Sequence, residues 1–293
     1  MALEVAQSPQ EVRRKVRGWQ REGLTVGFVP TMGVLHDGHL SLVRASEAEC
    51  DRTAASIYVN PTQFAEGEDL DSYPRRLERD RALLEGAGAT LLFSPTDEVM
   101  YPPGFCTYVC QEGLTERLCG AFRPGHFRGV LSVVLKLLNI VPADRAYFGR
   151  KDFQQSVLIR RMVADLNIPV DVRVLPTVRE ADGLAMSSRN EYLSAEQRRQ
   201  AVCLHEALAA ARELFSAGET GPDRLIAEMK EVIARYPDAR PQYVEIVAPD
   251  SLQAVEQVTE QAVAALAVFV GEVRLIDNMS FGNCPDVFVQ AEV

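Results

Sequence analysis

Apolar residues recur along this chain in two alternating patterns, short unbroken runs and every third or fourth position, and that alternation predicts strands exchanging with helices. Val12, Val16 and Trp19 stand at helical spacing behind Ser8, which can cap, and Pro9, which suits a first helical position. An amphipathic helix therefore opens the chain. Residues 24–29 form a short apolar run bounded by Gly23 and Pro30 and read as a buried strand. Residues 38–48 follow as a helix, with Leu40, Leu42, Val43 and Ala45 on one side and Glu47 and Glu49 on the other. The series continues with a strand over 52–59, a turn over 60–64, a helix over 72–85 and a strand over 89–93.

Residues 95–125 are rich in Pro, Gly and Tyr and break the series, with room for a strand pair near Cys106 and Cys110. The pattern resumes with a helix over 126–140, a strand over 145–148, a helix over 152–164 and a strand over 170–174. Apolar strands joined by helices imply parallel pairing through crossovers, so the fold class is α/β, a Rossmann-like parallel sheet with helices on both faces. In such open sheets ligands sit beyond the carboxyl ends of the strands. After a loop at 180–190, read as a hinge, the character changes. Helices over 194–215 and 222–235 and apolar strands over 243–247 and 265–270 predict a smaller α+β lid domain. The last fifteen residues, after the charged run 271–278, then read as a tail. The expected domains are 1–178 and 179–293.

With 293 residues, 47% of them hydrophobic, the chain can fill two cores. Its net charge of −10 argues against a nucleic-acid partner, because such binding rests on Lys and Arg neutralising phosphates. Any basic site must be local. The longest apolar run, 262–270, is nine residues, about half of the ~18 needed to span a bilayer. The first residues carry charges throughout and lack a signal-peptide core, so a cytoplasmic location is expected. Six cysteines, Cys50, Cys106, Cys110, Cys119, Cys203 and Cys284, show no zinc spacing and are expected as small buried or half-buried thiols; no protein metal site is expected.

The chemistry concentrates where strands hand over to helices. The stretch Pro30-Thr-Met-Gly-Val-Leu-His-Asp-Gly-His39 holds two of only four histidines and ends at a helix start, whose unpaired N–H groups and positive dipole end favour phosphate. Taken alone, His-x-Gly-His could be a turn with one exposed and one packed histidine. Gly149-Arg150-Lys151-Asp152 repeats the strand-to-helix setting, and its lysine is one of only four in the chain. A cation at a helix start is poorly placed unless an anion lies between. Met186-Ser187-Ser188-Arg189 offers two hydroxyls and a guanidinium, suited to phosphate or equally to an interdomain linker. Arg123 to Gly129, RPGHFRG, is expected to be a basic lip with no direct role.

Together, VPTMGVLHDGH, YVNPTQF, RPGHFRGV, GRKDFQQ and GLAMSSRNEYL, in this order, resemble the pantothenate synthetase (pantoate–β-alanine ligase) family, from about Val26 to Asn278. His-x-Gly-His alone marks a wider nucleotidyltransferase superfamily. The resemblance implies an ATP-dependent ligase joining pantoate to β-alanine through a pantoyl adenylate, with AMP and pyrophosphate released, working as a cytoplasmic homodimer with Mg²⁺. It also implies roles by position. Met32, Gly33, Val34, Leu35, His36, Asp37, Gly38 and His39 match the ATP segment, with His39 as proton donor and His36 beside it at the phosphates. Gly149, Arg150, Lys151, Asp152, Val178, Met186, Ser187, Ser188 and Arg189 match further ATP contacts, and Lys151 joins the two histidines as a catalytic residue. Gln63 matches the residue touching both pantoate and β-alanine, Gln155 the second pantoate ligand, and Asn60 lines the same pocket. The family usually has Glu at the positions of Arg150 and Cys119. The alternatives are an adenylyltransferase acting on a phosphate acceptor, against which the neutral Gln63 and Gln155 speak, and a catalytically silent nucleotide-binding regulator.

Overall fold

The computed structural model describes residues 2–65 and 67–282 and the backbone of 287–288. In chain order its elements are β1 (Glu4–Ala6), α1 (Pro9–Arg21), β2 (Val26–Thr31), α2 (Asp37–Glu49), β3 (Arg52–Ile57), α3 (Leu77–Gly86), β4 (Leu91–Phe93) and the short α4 (Asp97–Met100) and α5 (Cys119–Phe122). Then come α6 (His126–Ile140), β5 (Arg145–Gly149), α7 (Phe153–Asp165), β6 (Asp171–Leu175) and β7 (Val178–Arg179). The remainder holds α8 (Ala195–Gln200), α9 (Cys203–Ser216), α10 (Pro222–Ile233), β8 (Ala239–Val247), β9 (Val263–Val270), β10 (Val273–Ser280) and β11 (Val287–Phe288).

Two compact units share these elements. The first comprises the chain through Thr115, Arg123–Gly149 and Leu158–Leu175. Its six strands form one parallel sheet in the order β1-β4-β3-β2-β5-β6. The apolar runs of β2 and β3 are buried as a doubly covered parallel sheet requires. β2 is where the order reverses, with β3 on one side and β5 on the other, and that switch is where open α/β sheets bind ligands. Pro30 fits inside β2 because β5 pairs only with Gly27 and Phe28, so no ladder bond is asked of the missing N–H. Val29, Leu35, Leu40, Val43, Ala55, Leu84, Leu92 and Tyr147 lie in one core cluster that joins the sheet to α2 and α3.

The second unit comprises Glu116–Phe122, Arg150–Val157 and the chain from Pro176 on. Its antiparallel sheet runs β10-β9-β8, and its core, including Leu204, Leu208, Leu225, Met229, Leu266 and Val268, joins that sheet to α9 and α10. No helix among the described residues is long and apolar enough to cross a membrane.

The fold class is as the sequence predicts, and several details differ. The helix expected from 72 begins at Leu77, since Pro74 disfavours helical backbone before it and Arg76, at φ −127°, is not yet helical. No strand pair forms at 106–110. The helix expected over 194–215 is two helices, its turn tightened where the Leu204 N–H bonds the Ala201 carbonyl. The charged run 271–278 is largely strand β10, and β11, within the expected tail, pairs with β7. The hinge expected at 180–190 lies inside the second unit, where the Arg179–Ala185 bridge and the Arg198 pairs with Glu180 and Asp182 hold it. Cys106 and Cys110 are exposed, Cys50 is half-buried, Cys119 and Cys203 are buried, and Cys284 lies outside the described residues.

Candidate active site

In the first unit, β2 ends at Thr31 and the chain turns into α2 through Met32 to His36. Gly33 has φ 85° and Val34 φ 51°, and the latter is a costly conformation for a β-branched residue. Asp80 on α3 explains how it persists. That buried carboxylate accepts the N–H groups of Val34 at 2.8 Å and Leu35 at 2.9 Å, while Thr31 Oγ1 accepts the N–H of Gly33. The sequence pattern did not single out Asp80, since its partners are backbone N–H groups from a distant turn and it sits in a charged helical stretch.

His36 is the N-cap of α2, and its Nδ1 accepts the N–H of Gly38 at 3.2 Å. His39, three residues on, reaches back so that its Nδ1 accepts the His36 N–H at 3.4 Å. The two imidazoles thus form a reciprocal capping box, a role played elsewhere by Ser and Glu. With Nδ1 accepting in both rings, each neutral imidazole carries its proton on Nε2 and presents a donor there. The rings lie 4.1 Å apart, and Asp37 and Gly38 occupy the first turn between them.

The turn after β3, a single 3₁₀ turn at Pro61–Gln63, is held by Asn60. Asn60 is buried, and its amide is fully engaged. Oδ1 accepts from Thr62 N–H, Thr62 Oγ1 and Tyr101 Oη, and Nδ2 donates to Gln63 Oε1 at 3.0 Å and the Gly129 carbonyl at 3.3 Å. The Gln63 amide is therefore oriented, with Nε2 3.1 Å from Met32 Sδ. That contact brings together the segments expected to bind ATP and pantoate.

The RPGHFRG stretch, expected to be a lip, instead grips this turn. The Gln63 carbonyl accepts from His126 Nδ1 at 2.7 Å and Arg123 Nη2 at 3.4 Å. Arg123 also donates to both carboxylate oxygens of Glu68 at 2.6 Å and to His126 Nε2 at 3.0 Å. A guanidinium only donates, so Nε2 of His126 accepts and Nδ1 carries the proton that reaches Gln63. Burial pushes the Glu68 carboxyl up, but the Arg123 bonds and charge outweigh it and hold the group below its ordinary value.

In the second unit, Arg150–Asp152 form a 3₁₀ turn leading into α7, with Arg150 and Lys151 half-buried and Asp152 exposed. Gln154 and Gln155 differ in environment. Gln154 is buried and bonded to the Cys119 N–H and Arg117 carbonyl, whereas Gln155 is only partly covered. Cys119 Sγ lies 3.2 Å from Tyr243 Oη and 3.4 Å from Arg274 Nη2, so its sulfur faces that guanidinium. Val178 in β7 is buried, and its carbonyl accepts the Met186 N–H at 3.0 Å. Ser187 caps the turn Ser188–Tyr192, its Oγ accepting the Arg189 N–H, while Met186, Ser187, Ser188 and Arg189 remain partly accessible. Among the described residues no group of three or more His, Cys, Asp or Glu could hold a metal ion.

The chain is similar to known proteins along nearly its whole length. The model of the pantoate-beta-alanine ligase family matches residues 4–280. Pantothenate synthetases from Moorella thermoacetica and Trichlorobacter lovleyi are 53% and 52% identical, each over 94% of this chain and 98% of the relative. Among solved structures, pantothenate synthetase from Thermus thermophilus superposes with a TM-score of 0.89 at 45% identity, covering 96% of this chain and all of that one. Pantoate-beta-alanine ligase from Francisella tularensis, solved with β,γ-ATP and β-alanine, gives 0.79 at 34% identity, over 96% and 98% of the two chains.

Proposed function

The chain belongs to the pantoate–β-alanine ligase family, and from that premise we propose how its own residues carry the reaction. The overall activity is ATP-dependent amide formation from pantoate and β-alanine, giving pantothenate, AMP and pyrophosphate. In the first step a pantoate carboxylate oxygen attacks the α-phosphorus, the bond to the β-phosphate oxygen breaks, and pyrophosphate leaves. In the second the β-alanine amine attacks the acyl carbon, AMP departs, and the amine gives up a proton.

Met32 to His39 of the first unit bind ATP in this reading, with His36 and His39 offering Nε2–H donors to phosphate oxygens. Positioned neutral donors stabilise charge that develops in the transition state without reorganising, which is the larger part of such catalysis. Gln63 binds pantoate and then β-alanine, and Asn60 serves the pocket by orienting the Gln63 amide. Gly149 to Asp152, Val178, Met186 to Arg189 and Gln155 supply the remaining ATP and pantoate contacts, with Lys151 as a compact positive charge. Mg²⁺, bound with the nucleotide, would supply charge neutralisation on the triphosphate. The protein works as a cytoplasmic homodimer.

The observation that carries the reading is the 3.1 Å approach of Gln63 Nε2 to Met32 Sδ, an acyl-pocket amide touching the nucleotide segment. Adenylation needs a carboxylate and an α-phosphate in contact, and this arrangement supports that. The test is AMP formation from ATP and pantoate, with and without β-alanine. Multiple turnovers only with β-alanine are expected; transfer of the adenylyl group to an added phosphate acceptor, with pyrophosphate released and no free AMP, would favour an adenylyltransferase, and no turnover at all a silent nucleotide binder.

A further inference from the structure

Asn278 lies in β10, a strand hidden in the sequence as a charged run, and is 3% exposed. Its Nδ2 donates to two successive carbonyls, Arg150 at 3.0 Å and Lys151 at 2.9 Å. Among the described residues its Oδ1 is buried without a partner, so what the side chain grips there it grips through Nδ2. The residue before it does related work. Asp277 makes a bidentate pair with Arg179, at 2.6 and 3.0 Å, with the two side chains 1% and 0% exposed. Arg179 also donates to the Gly183 carbonyl, in the loop that leads to Met186 to Arg189. Asp277 Oδ1 in turn accepts the Asn278 N–H at 2.7 Å, joining both grips in one network.

We propose that Asn278 is a positioning residue for nucleotide binding, its amide fixing the two peptide planes that carry Lys151. The proposal rests on the reading of Gly149 to Asp152 as ATP contacts and adds what holds them. A trans peptide is planar, so the direction of a carbonyl oxygen sets that of the following N–H on the opposite side. Holding the Arg150 and Lys151 oxygens therefore aims the N–H groups of Lys151 and Asp152 away from Asn278. It also fixes the backbone from which the Lys151 side chain springs. Successive N–H groups held to one side make the kind of concavity that receives an anion. Without the amide, each plane could turn, and the ammonium would lose its fixed origin.

The experiment compares Asn278→Ala and Asn278→Asp with the wild type, reading KM for each substrate, kcat and the thermal midpoint. The aspartate keeps the shape but sets oxygen against two carbonyl oxygens. Both variants should raise KM for ATP by about tenfold, the size of one or two lost hydrogen bonds, while KM for pantoate and β-alanine stays within about twofold. An unchanged KM for ATP, or an equal rise for all three substrates, would overturn the proposal. Should neither variant fold, amide hydrogen exchange on the wild-type full chain decides. Pyrophosphate should slow exchange at Lys151 and Asp152, and no slowing there overturns the idea. Lys151→Ala separates the two levels of inference. If it leaves KM for ATP unchanged, the ATP reading of this turn fails; if it raises KM and the Asn278 variants do not, the positioning role alone fails.

Discussion

The Gln63 carbonyl takes two donors, and one of them, Arg123, is held from its other side by Glu68. Because Arg123 outweighs burial and lowers the Glu68 pKa below the ordinary 4.5, the sign of its contribution to stability is set. A depressed carboxyl stabilises the fold above its unfolded value, and that stabilisation is lost as pH falls through the lower folded value. Glu68→Gln should therefore lower the thermal midpoint by about 1–3 °C at pH 7, a small shift because the pair is partly solvated. The gap to wild type should close as the pH is taken below about 4. A gap that persisted in acid would mean that packing, not charge, is what the substitution removed. This cluster also marks what single residues disclose in sequence. His36 and His39 could be read from a helix start, since a strand, a glycine turn and two histidines carry a mechanism. His126 and Asp80 could not, because each acts on a backbone group of a distant segment, and no side-chain pattern records that.

Between elements, α6 comes very close to the turn after β3. A Cβ built on Gly129 would fall on the carbonyl of Thr62 and crowd Gln63 Cα, so only glycine lets helix and turn come together. Gly129→Ala should push the Pro61–Gln63 turn off α6, strain the Asn60 bond to the Gly129 carbonyl and misdirect the Gln63 amide. Overpacking of this kind costs about 1–3 kcal/mol, so KM for pantoate should rise by roughly tenfold, together with a lower thermal midpoint. Steady-state kinetics with pantoate varied would show it; an unchanged KM beside a lowered midpoint would mean that the turn relaxes without moving Gln63. At this scale the sequence reading was strongest for α1, where the Ser8 cap, Pro9 and the apolar spacing agree, and the structure adds a Ser194–Gln197 capping box at the start of α8. It failed at β10 for a physical reason. Pattern reading places charges outside, whereas Asp277 is buried against Arg179 and Asn278 against backbone carbonyls, so an inward-facing polar strand looked like surface.

Across the whole molecule a chain of net charge −10 must capture a polyphosphate. Long-range attraction cannot do this, so under the proposed function capture falls to fixed local groups such as the N–H groups and Nε2 donors at the start of α2 in the first unit. The α/β class and the strand-to-helix turns were legible because alternating apolar runs leave few topologies, while the division into two units, with residues 116–122 and 150–157 assigned to the second, depends on contacts that no local pattern contains. The arrangement of the first unit makes a prediction about reaction order. In the proposed two-step scheme Gln63, in contact with Met32, holds pantoate before it meets β-alanine, so the adenylate should form before the amine is present. Labelled pyrophosphate should then enter ATP when pantoate is supplied alone, because forming pantoyl adenylate and pyrophosphate is reversible on the protein. No exchange should occur with ATP alone, since no acyl acceptor of the adenylyl group is present. Adding β-alanine should depress the exchange, as the amine draws the adenylate on to product and leaves less to return. Exchange that appeared only with β-alanine would instead require the amine to act in the same step that expels pyrophosphate, and the two-step scheme would have to be abandoned.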